Sequence, residues 1–222
     1  MKRIRFTGLV LAAVLAMSAV AAASASAAPK FEAETYPVTV KAKSSNVQKF
    51  KVESGTSECT TATFEGKATA ASEWLKVLPV YSGCSFIGKV AESAVVKMNG
   101  CQYEFHATKE VVGKPGHFEG TVDVINNGAK SCATEPITVV AATCEVKVGP
   151  QTGLGPVEYV NIGAGAKREV EVNANVQNIT YTESTLCPLR KEPQPKTTGI
   201  YEGKALAAGF NELAEQEGIL VK

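Results

Sequence analysis

AVVKMNGCQYEF, residues 94–105, places the dipeptide Asn99-Gly100 between two segments in which side chains suited to a core and to water alternate. A two-residue Asn-Gly loop favours a type I′ turn, because both residues tolerate a positive φ and the twist of the turn matches the flanking strands. Counting outward from the turn predicts three apolar pairs: Met98 with Cys101, Val96 with Tyr103, and Ala94 with Phe105. The pairs between them carry polar residues: Lys97 with Gln102, and Val95 with Glu104. The stretch therefore predicts a hairpin with one buried face, which a one-residue slip would destroy.

The N-terminus has the three-part pattern of a secretory signal peptide. Lys2, Arg3 and Arg5 precede an apolar run over residues 9–20, and small residues follow, ending in Ala25-Ser26-Ala27. We expect residues 1–27 to be a signal peptide cleaved after Ala27, with Ala25 as the alternative site. An uncleaved membrane anchor is the competing interpretation, but the apolar core is short for a membrane span.

The charge of the predicted mature chain is close to neutral. Cleavage would remove three of the 23 Lys and Arg and none of the 22 acidic residues. The remaining charge gives no electrostatic reason to expect a nucleic acid or an anionic membrane as partner. The signal peptide predicts an extracellular protein. Because the sequence has no second long apolar run, we expect no membrane span after signal cleavage.

All six cysteines lie in the predicted mature chain, at positions 59, 84, 101, 132, 144 and 187. An even number of cysteines in an exported chain predicts a disulfide framework. Six cysteines allow fifteen connectivities, and their spacing does not choose among them. The chain has no Cys-x-x-Cys motif, which argues against a structural zinc site or a thioredoxin-like redox pair.

From Phe31 onward the chain consists of short alternating segments separated by turn residues, which predicts strands almost throughout. A turn cluster at residues 126–131 suggests a domain boundary, with roughly seven strands on each side. We predict an all-β fold of two immunoglobulin-like β-sandwich domains, residues 28–130 and 131–222, stapled by disulfides. One elongated sandwich is the alternative. If the boundary, near residues 126–135, falls after Cys132, then Cys144 must pair with Cys187, and we favour Cys59–Cys84 and Cys101–Cys132 in the first half.

One short pattern recurs along the chain. Phe64-Glu65-Gly66-Lys67-Ala68 returns as Tyr201-Glu202-Gly203-Lys204-Ala205, with a shorter echo at Phe118-Glu119-Gly120. The structural interpretation is an aromatic residue beside a strand glycine at which another backbone or ring comes close. A repeated ligand subsite is the alternative.

Several dispersed motifs carry a family resemblance: Tyr36-Pro37, Cys59-Thr60, Phe64-x-Gly66, Tyr81-Ser82-Gly83-Cys84, Met98-Asn99-Gly100-Cys101, and Cys144-x-Val146 with Pro150-Gln151. Through them most of the mature chain resembles a group of secreted actinobacterial proteins of unknown function. The resemblance implies export and oxidised cysteines. It implies no activity and no site residues.

Residue types suited to catalysis are few. The chain has two histidines, His106 and His117, and a single aspartate, Asp123, and it has no Gly-x-Ser-x-Gly elbow. We interpret both histidines as solvated loop residues, with a metal site as the alternative. Most glutamates alternate with apolar residues and belong to the solvated face of predicted strands. We therefore expect no catalytic residue, no metal ligand and no cofactor.

The remaining candidates are contacts with a partner. Trp74 is the aromatic residue best placed for a glycan-binding surface, although we favour a place in the core for it. The Pro-rich segment 187–196 is stiff, anchored at Cys187 and basic at Arg190 and Lys191, so little entropy would be lost if it bound a partner. We favour an ordinary connection between strands for this segment, with partner contact, or inhibition of a trypsin-like protease through Arg190 or Lys191, as the alternatives. We predict a non-catalytic binding or cell-surface protein whose partner is an unknown protein or a glycan. The alternative function is a secreted hydrolase acting on glycans.

Overall fold

The computed structural model describes residues 27–190 and 194–222. The predicted signal peptide, apart from Ala27, lies outside the described residues, as does Lys191. The described part of the chain forms fifteen β-strands, a short 3-10 turn at Gly165–Lys167 and no α-helix. The predicted all-β class is therefore confirmed. No helix in residues 27–190 or 194–222 is long and apolar enough to cross a membrane.

The strands follow one another in chain order: β1 Phe31–Ala33, β2 Val38–Ser44, β3 Gln48–Val52, β4 Gly55–Ala68, β5 Trp74–Ile87, β6 Ala91–Lys97, β7 Cys101–Glu110, β8 His117–Asn126, β9 Ile137–Ala141, β10 Glu145–Val148, β11 Gln151–Ile162, β12 Glu169–Glu183, β13 Lys196–Phe210, β14 Gln216–Glu217 and β15 Ile219–Val221. β1 and β15 form a separate two-stranded sheet, and the other thirteen strands belong to one sheet.

The large sheet closes on itself in two rings that share four long strands. Antiparallel pairs β4–β5 and β12–β13 run through both rings. The first ring is completed by β7, β8 and β11 on one side and by β2 on the other. The second ring is completed by β6, β9 and β10 on one side and by β3 on the other. Each ring therefore contains eight strands.

The rings meet at a waist. Each long strand keeps one neighbouring strand through both rings, and at the waist it changes the neighbour on its other edge. β5 pairs with β7 through residues 74–77 and with β6 through residues 84–87. Pro79 lies between these two partners, a position suited to a residue that has no N–H to donate. β4 and β13 change from β2 to β3 in the same way, and β12 changes from β11 to β10.

The predicted immunoglobulin-like sandwich in two domains is not confirmed. The two rings do not correspond to residues 28–130 and 131–222, because each half of the chain supplies strands to both rings. Five pairings join the halves directly: β13 with β2, β13 with β3, β11 with β8, β9 with β6, and β1 with β15. The turn cluster chosen as a boundary is the connection by which the chain passes from β8 in the first ring to β9 in the second.

The predicted hairpin at Asn99-Gly100 is wrong in its register. β6 and β7 do not pair with each other in the sheet; both run antiparallel to β5, one after the other along the same edge. A turn does form, with the Cys101 N–H donating to the Met98 carbonyl, and Asn99 has a φ of 50°. Gly100 does not share the positive φ that a type I′ turn requires. The turn therefore shifts the strand from one ring to the other instead of reversing it.

The predicted division of faces along this stretch holds even though the pairing differs. Val96, Tyr103 and Phe105 face the interior of the closed sheet, while Val95 is 54 % exposed. Alternation depends on the pleat of the strand itself and not on which strand lies beside it. The pattern therefore identified the inward side chains without identifying their neighbours.

Three disulfides join the cysteines in the pairs that the sequence analysis favoured. Cys59 and Cys84 lie directly opposite each other in β4 and β5. Cys101–Cys132 ties the first residue of β7 to the β8–β9 connection, and Cys144–Cys187 ties the β9–β10 turn to the segment after β12. Such a framework is typical of an oxidising, extracellular environment.

The recurring glycines lie at close approaches, as the structural interpretation of the repeat predicted. A side chain at Gly66 would collide with the Lys76 carbonyl, and one at Gly120 would collide with the His106 carbonyl. At Gly203 the obstacle is the Gln48 side-chain amide. The glycines of the repeat thus allow neighbouring groups to reach the sheet backbone.

Candidate functional site

The inward side chains of the closed sheet leave a cavity of about 150 Å³. Its lining is almost entirely apolar and comes from both rings: Val77, Phe105 and Val172 in the first, Phe50 and Val139 in the second. An engineered apolar cavity of about this size stays dry and admits benzene. The interior therefore has room for a small apolar molecule.

The small sheet of β1 and β15 lies against the first ring and contributes Phe31, Ala33 and Ile219 to the cavity lining. The Phe31 ring packs edge-on against the buried Tyr159 ring, with centroids 5.3 Å apart. Asn161 holds β15 in place through two hydrogen bonds, donating to the Val221 carbonyl at 2.7 Å and accepting from its N–H at 2.9 Å. The two ends of the described chain thus form a cap over one part of the cavity.

The polar part of the lining lies at the waist, where three tyrosine hydroxyls meet. The hydroxyl of Tyr81 is 3.2 Å from that of Tyr103 and 3.4 Å from that of Tyr201. Tyr201 donates to Gln48 Oε1 at 2.6 Å. Gln48 Nε2 donates in turn to the backbone carbonyls of Asn46 and Lys204, at 3.0 and 3.1 Å. These contacts form one continuous chain of hydrogen bonds from the cavity to the strand backbone.

Burial raises the pKa of each of these tyrosines above its ordinary value. Desolvation is the largest cause for Tyr81, Tyr103 and Tyr201, and the neighbouring tyrosines raise the pKa of Tyr81 further. The pKa of Tyr159 is raised by desolvation as well. The polar groups of the waist therefore stay protonated and uncharged at neutral pH.

A second group of polar side chains lies on the outward face of the first ring. His106 Nε2 is 3.3 Å from a carboxylate oxygen of Glu104 and 3.3 Å from one of Asp123. Glu104 and Asp123 are directly opposite each other in β7 and β8. One ligand atom from each residue lies within 4.8 Å of the others, so the three could hold a divalent cation. His106 Nε2 is buried and makes no hydrogen bond to either carboxylate in the structure.

Both histidines lie in strands, so their interpretation as loop residues is wrong. His106 is in β7, and His117 is the first residue of β8, with its Nδ1 3.1 Å from Glu158 Oε1. The structure brings His106 together with Asp123, the single aspartate of the chain, although 17 positions separate them in sequence. The pairing of β7 with β8, which the sequence analysis did not predict, is what joins them.

The residues predicted to contact a partner do not gather in one place. Trp74 is 46 % exposed beside His106 in the outward group, with the Lys76 ammonium 4.8 Å from its ring centroid. Arg190 lies after β12, and its guanidinium donates to the Glu183 carbonyl at 3.3 Å. Lys191 is outside the described residues. Trp74 is thus exposed, and its predicted place in the core is wrong.

The cavity and its tyrosines were not predicted. Two sequence signals indicated that tyrosines point inward: Tyr103 was assigned to a buried face, and Tyr201 occupies the place of Phe64 in the repeat. Nothing in either pattern indicates that the inward side chains leave space between them. That property depends on the closure of the sheet and on the sizes of side chains from strands far apart in sequence.

Comparisons with protein-family models, with curated proteins and with solved structures find no match for this chain.

Proposed function

We propose that this protein is an exported, non-catalytic binding protein that holds an apolar small molecule inside its closed sheet. The observation that carries the proposal is the interior cavity, apolar along almost its whole lining and lined by residues of both rings. Packed protein interiors seldom leave voids larger than a water molecule, so a space of this size is a feature that function can explain. Export is supported by the predicted signal peptide and by three disulfides.

The size of the cavity limits the ligand. A space of about 150 Å³ suits a molecule on the scale of a single aromatic ring or a short alkyl chain. Binding would be driven by removal of apolar surface from water, at roughly 25 cal/mol per Å². The resemblance to secreted actinobacterial proteins stays a prediction and adds no ligand.

The test is a titration of the oxidised protein with octane and with toluene, followed by methyl NMR and calorimetry. We expect saturable binding with chemical-shift changes at inward residues such as Val77 and Val139. Absence of saturable binding by either compound contradicts the proposal.

Two variants distinguish interior binding from adsorption to the surface. Val172 lines the cavity, whereas Leu206 lies on the outward face of the adjacent strand. Val172→Phe fills part of the cavity and should lower the affinity at least tenfold. Leu206→Phe makes a comparable change on the other face and should leave the affinity within twofold. Equal losses in the two variants would place the ligand elsewhere.

Glycan hydrolysis is the second candidate, and one observation favours it. Glu104 and Asp123 carry carboxylate oxygens close together beside the exposed Trp74, as a glycosidase pair and a sugar-stacking ring would be. They lie on the outward face and not in the cavity. Release of reducing sugar from a soluble polysaccharide by the wild type, abolished in Glu104→Gln, would support the hydrolase.

A further inference from the structure

The apolar cavity contains a small number of uncharged polar groups whose hydrogen-bonding capacity is not used up. The tyrosine hydroxyls supply three donors, and one arrangement satisfies all of them: Tyr103 donates to Tyr81, Tyr81 to Tyr201, and Tyr201 to Gln48. In this arrangement the Tyr103 oxygen has a free acceptor site. If Tyr81 donates to Tyr103 instead, the Tyr103 O–H becomes a free donor. The Tyr103 hydroxyl can therefore accept a hydrogen bond from a ligand or donate one to it.

Ser57 adds an independent observation. Its side chain lines the same cavity from β4 and is only 3 % exposed. Its hydroxyl oxygen is buried without a hydrogen-bond partner in the structure. An unpaired buried hydroxyl costs about 1–3 kcal/mol, and a polar atom in the cavity would remove that cost.

The charged residues that touch the cavity are at its edges. Glu32 belongs to the cap and is paired with Lys222 at 2.8 Å, and the Lys204 side chain is exposed. The polar groups inside are hydroxyls and one amide, and the raised pKa values of the tyrosines keep them neutral. An ionised head group at the waist would be desolvated without an opposite charge, which is strongly unfavourable.

We infer that the ligand is an uncharged molecule with one hydrogen-bonding group, such as an alcohol, ketone or ester, placed against the Tyr103 hydroxyl at the waist or the Ser57 hydroxyl in the second ring, with its apolar part in the rest of the cavity. This inference rests on the proposed function and specifies the chemical class of the ligand. A fatty acid or an amine of the same length is excluded from the waist by its charge.

The experiment compares octane, octanol and octanoate on the oxidised protein at about pH 8, where the carboxylate is ionised. Octanol should bind about tenfold more tightly than octane, and octanoate should bind more weakly than octanol by at least tenfold. One hydrogen bond at the waist corresponds to a change of about five- to tenfold.

Two variants assign the preference to named atoms. Tyr103→Phe removes the hydroxyl at the open end of the tyrosine hydrogen-bond series. Ser57→Ala removes a buried hydroxyl that has no hydrogen-bond partner in the structure. The variant that removes the hydroxyl used by octanol should reduce the preference for octanol over octane about fivefold, and both variants should leave octane binding within twofold. Ser57→Ala should not impair folding, since its hydroxyl makes no hydrogen bond.

The outcomes separate this inference from the proposed function. If octane and octanol bind equally and neither variant changes their ratio, the cavity binds apolar molecules but the waist does not select them, and the inference is overturned. Tighter binding of octanoate than octanol overturns it as well. If none of the three ligands binds, the proposed function fails and this inference fails with it.

Discussion

A tyrosine hydroxyl placed in an apolar interior must find a partner or lose the hydrogen bonds that it makes in water. Tyr81, Tyr103 and Tyr201 meet this requirement jointly, since each hydroxyl lies within hydrogen-bonding distance of a neighbour. Gln48 accepts the last hydrogen bond of this series, from Tyr201. Its amide lies against Gly203, because a glycine there leaves room for it. The conformation of one glycine-containing strand therefore supports the polar groups of the cavity.

The first prediction concerns the stability of the folded protein at alkaline pH, which these tyrosines affect. Burial raises the pKa of Tyr81, Tyr103, Tyr159 and Tyr201, so from about pH 10 upward the unfolded chain releases protons that the folded chain retains. The free energy of unfolding should therefore be constant with respect to these groups below about pH 10 and should fall above it. Urea unfolding followed by circular dichroism at a series of alkaline pH values measures this fall.

Tyrosinate absorbance supplies the check on this prediction. The chain has six tyrosines, and the four of this set should ionise together with the loss of strand structure. Ionisation of three or more tyrosines while the circular dichroism remains native would contradict the assignment.

At the scale of the elements, the Asn99-Gly100 turn is where a strand passes from the second ring to the first. The Asn99 side chain donates to the Pro136 carbonyl at 2.7 Å, and the Gly100 N–H donates to the Glu135 carbonyl at 3.0 Å. The turn thus binds the β8–β9 connection, which Cys101–Cys132 also holds. Both rings depend on this contact, because the turn and the connection each link a strand of one ring to a strand of the other.

The second prediction tests this contact by adding a single methyl group. A Cβ at Gly100 would lie 2.7 Å from the Ser131 carbonyl oxygen and 2.8 Å from its carbon. Because both are backbone atoms, Gly100→Ala should lower the free energy of unfolding by about 1–3 kcal/mol. Chemical denaturation with the disulfides intact measures the loss.

Gly149 provides the matched control, since it also lies at the waist, between β10 and β11. A Cβ there would meet nothing within 4 Å, and Gly149 does not have a positive φ. Gly149→Ala should be neutral or stabilising by up to about 1 kcal/mol through the unfolded chain. A loss in Gly149→Ala as large as that in Gly100→Ala would mean that the packing against Ser131 is not the cause.

The elements were predictable from sequence to the extent that their causes are local. Alternation identified the inward residues Val96, Tyr103 and Phe105, and the glycines of the repeat indicated close approaches. The register of β6 and β7 was not predictable, because Asn-Gly is compatible with a reversal and with the shift that occurs. The choice between a hairpin and a shift is made by β5, because β6 and β7 both pair with the same edge of β5, one after the other.

For the whole molecule, the decisive pairings join residues that are far apart in the chain. Ala42 in β2 lies opposite Ala207 in β13, and Val96 in β6 lies opposite Val139 in β9. Such pairs leave no local signal, so the sequence supports a sheet without showing that it closes. The cavity, and with it the candidate site, could not be predicted because it exists only once both rings are complete.

The last prediction concerns the division of the chain at residue 130. A fragment of residues 28–130 would lack β9 and β11–β13, leaving edges of β2, β3, β6 and β8 unpaired. It would retain Cys59–Cys84 but lose Cys132, so a second fragment that ends at residue 135 and keeps Cys101–Cys132 as well is the control for the missing disulfide. We expect the oxidised fragment to be unfolded, because unpaired edges and an open apolar interior offset too little of the chain entropy.

The full-length protein should correspondingly unfold as one unit. Amides in β4 and in β12 are expected to exchange through the same global opening, with equal free energies from native-state hydrogen exchange, because the long strands take part in both rings. A dispersed NMR spectrum from the 28–130 fragment, or two separate free energies for β4 and β12, would instead favour two domains divided near residue 130. Equal free energies together with an unfolded fragment would establish that the closed sheet, and not either half of the sequence, is the cooperative unit that encloses the cavity.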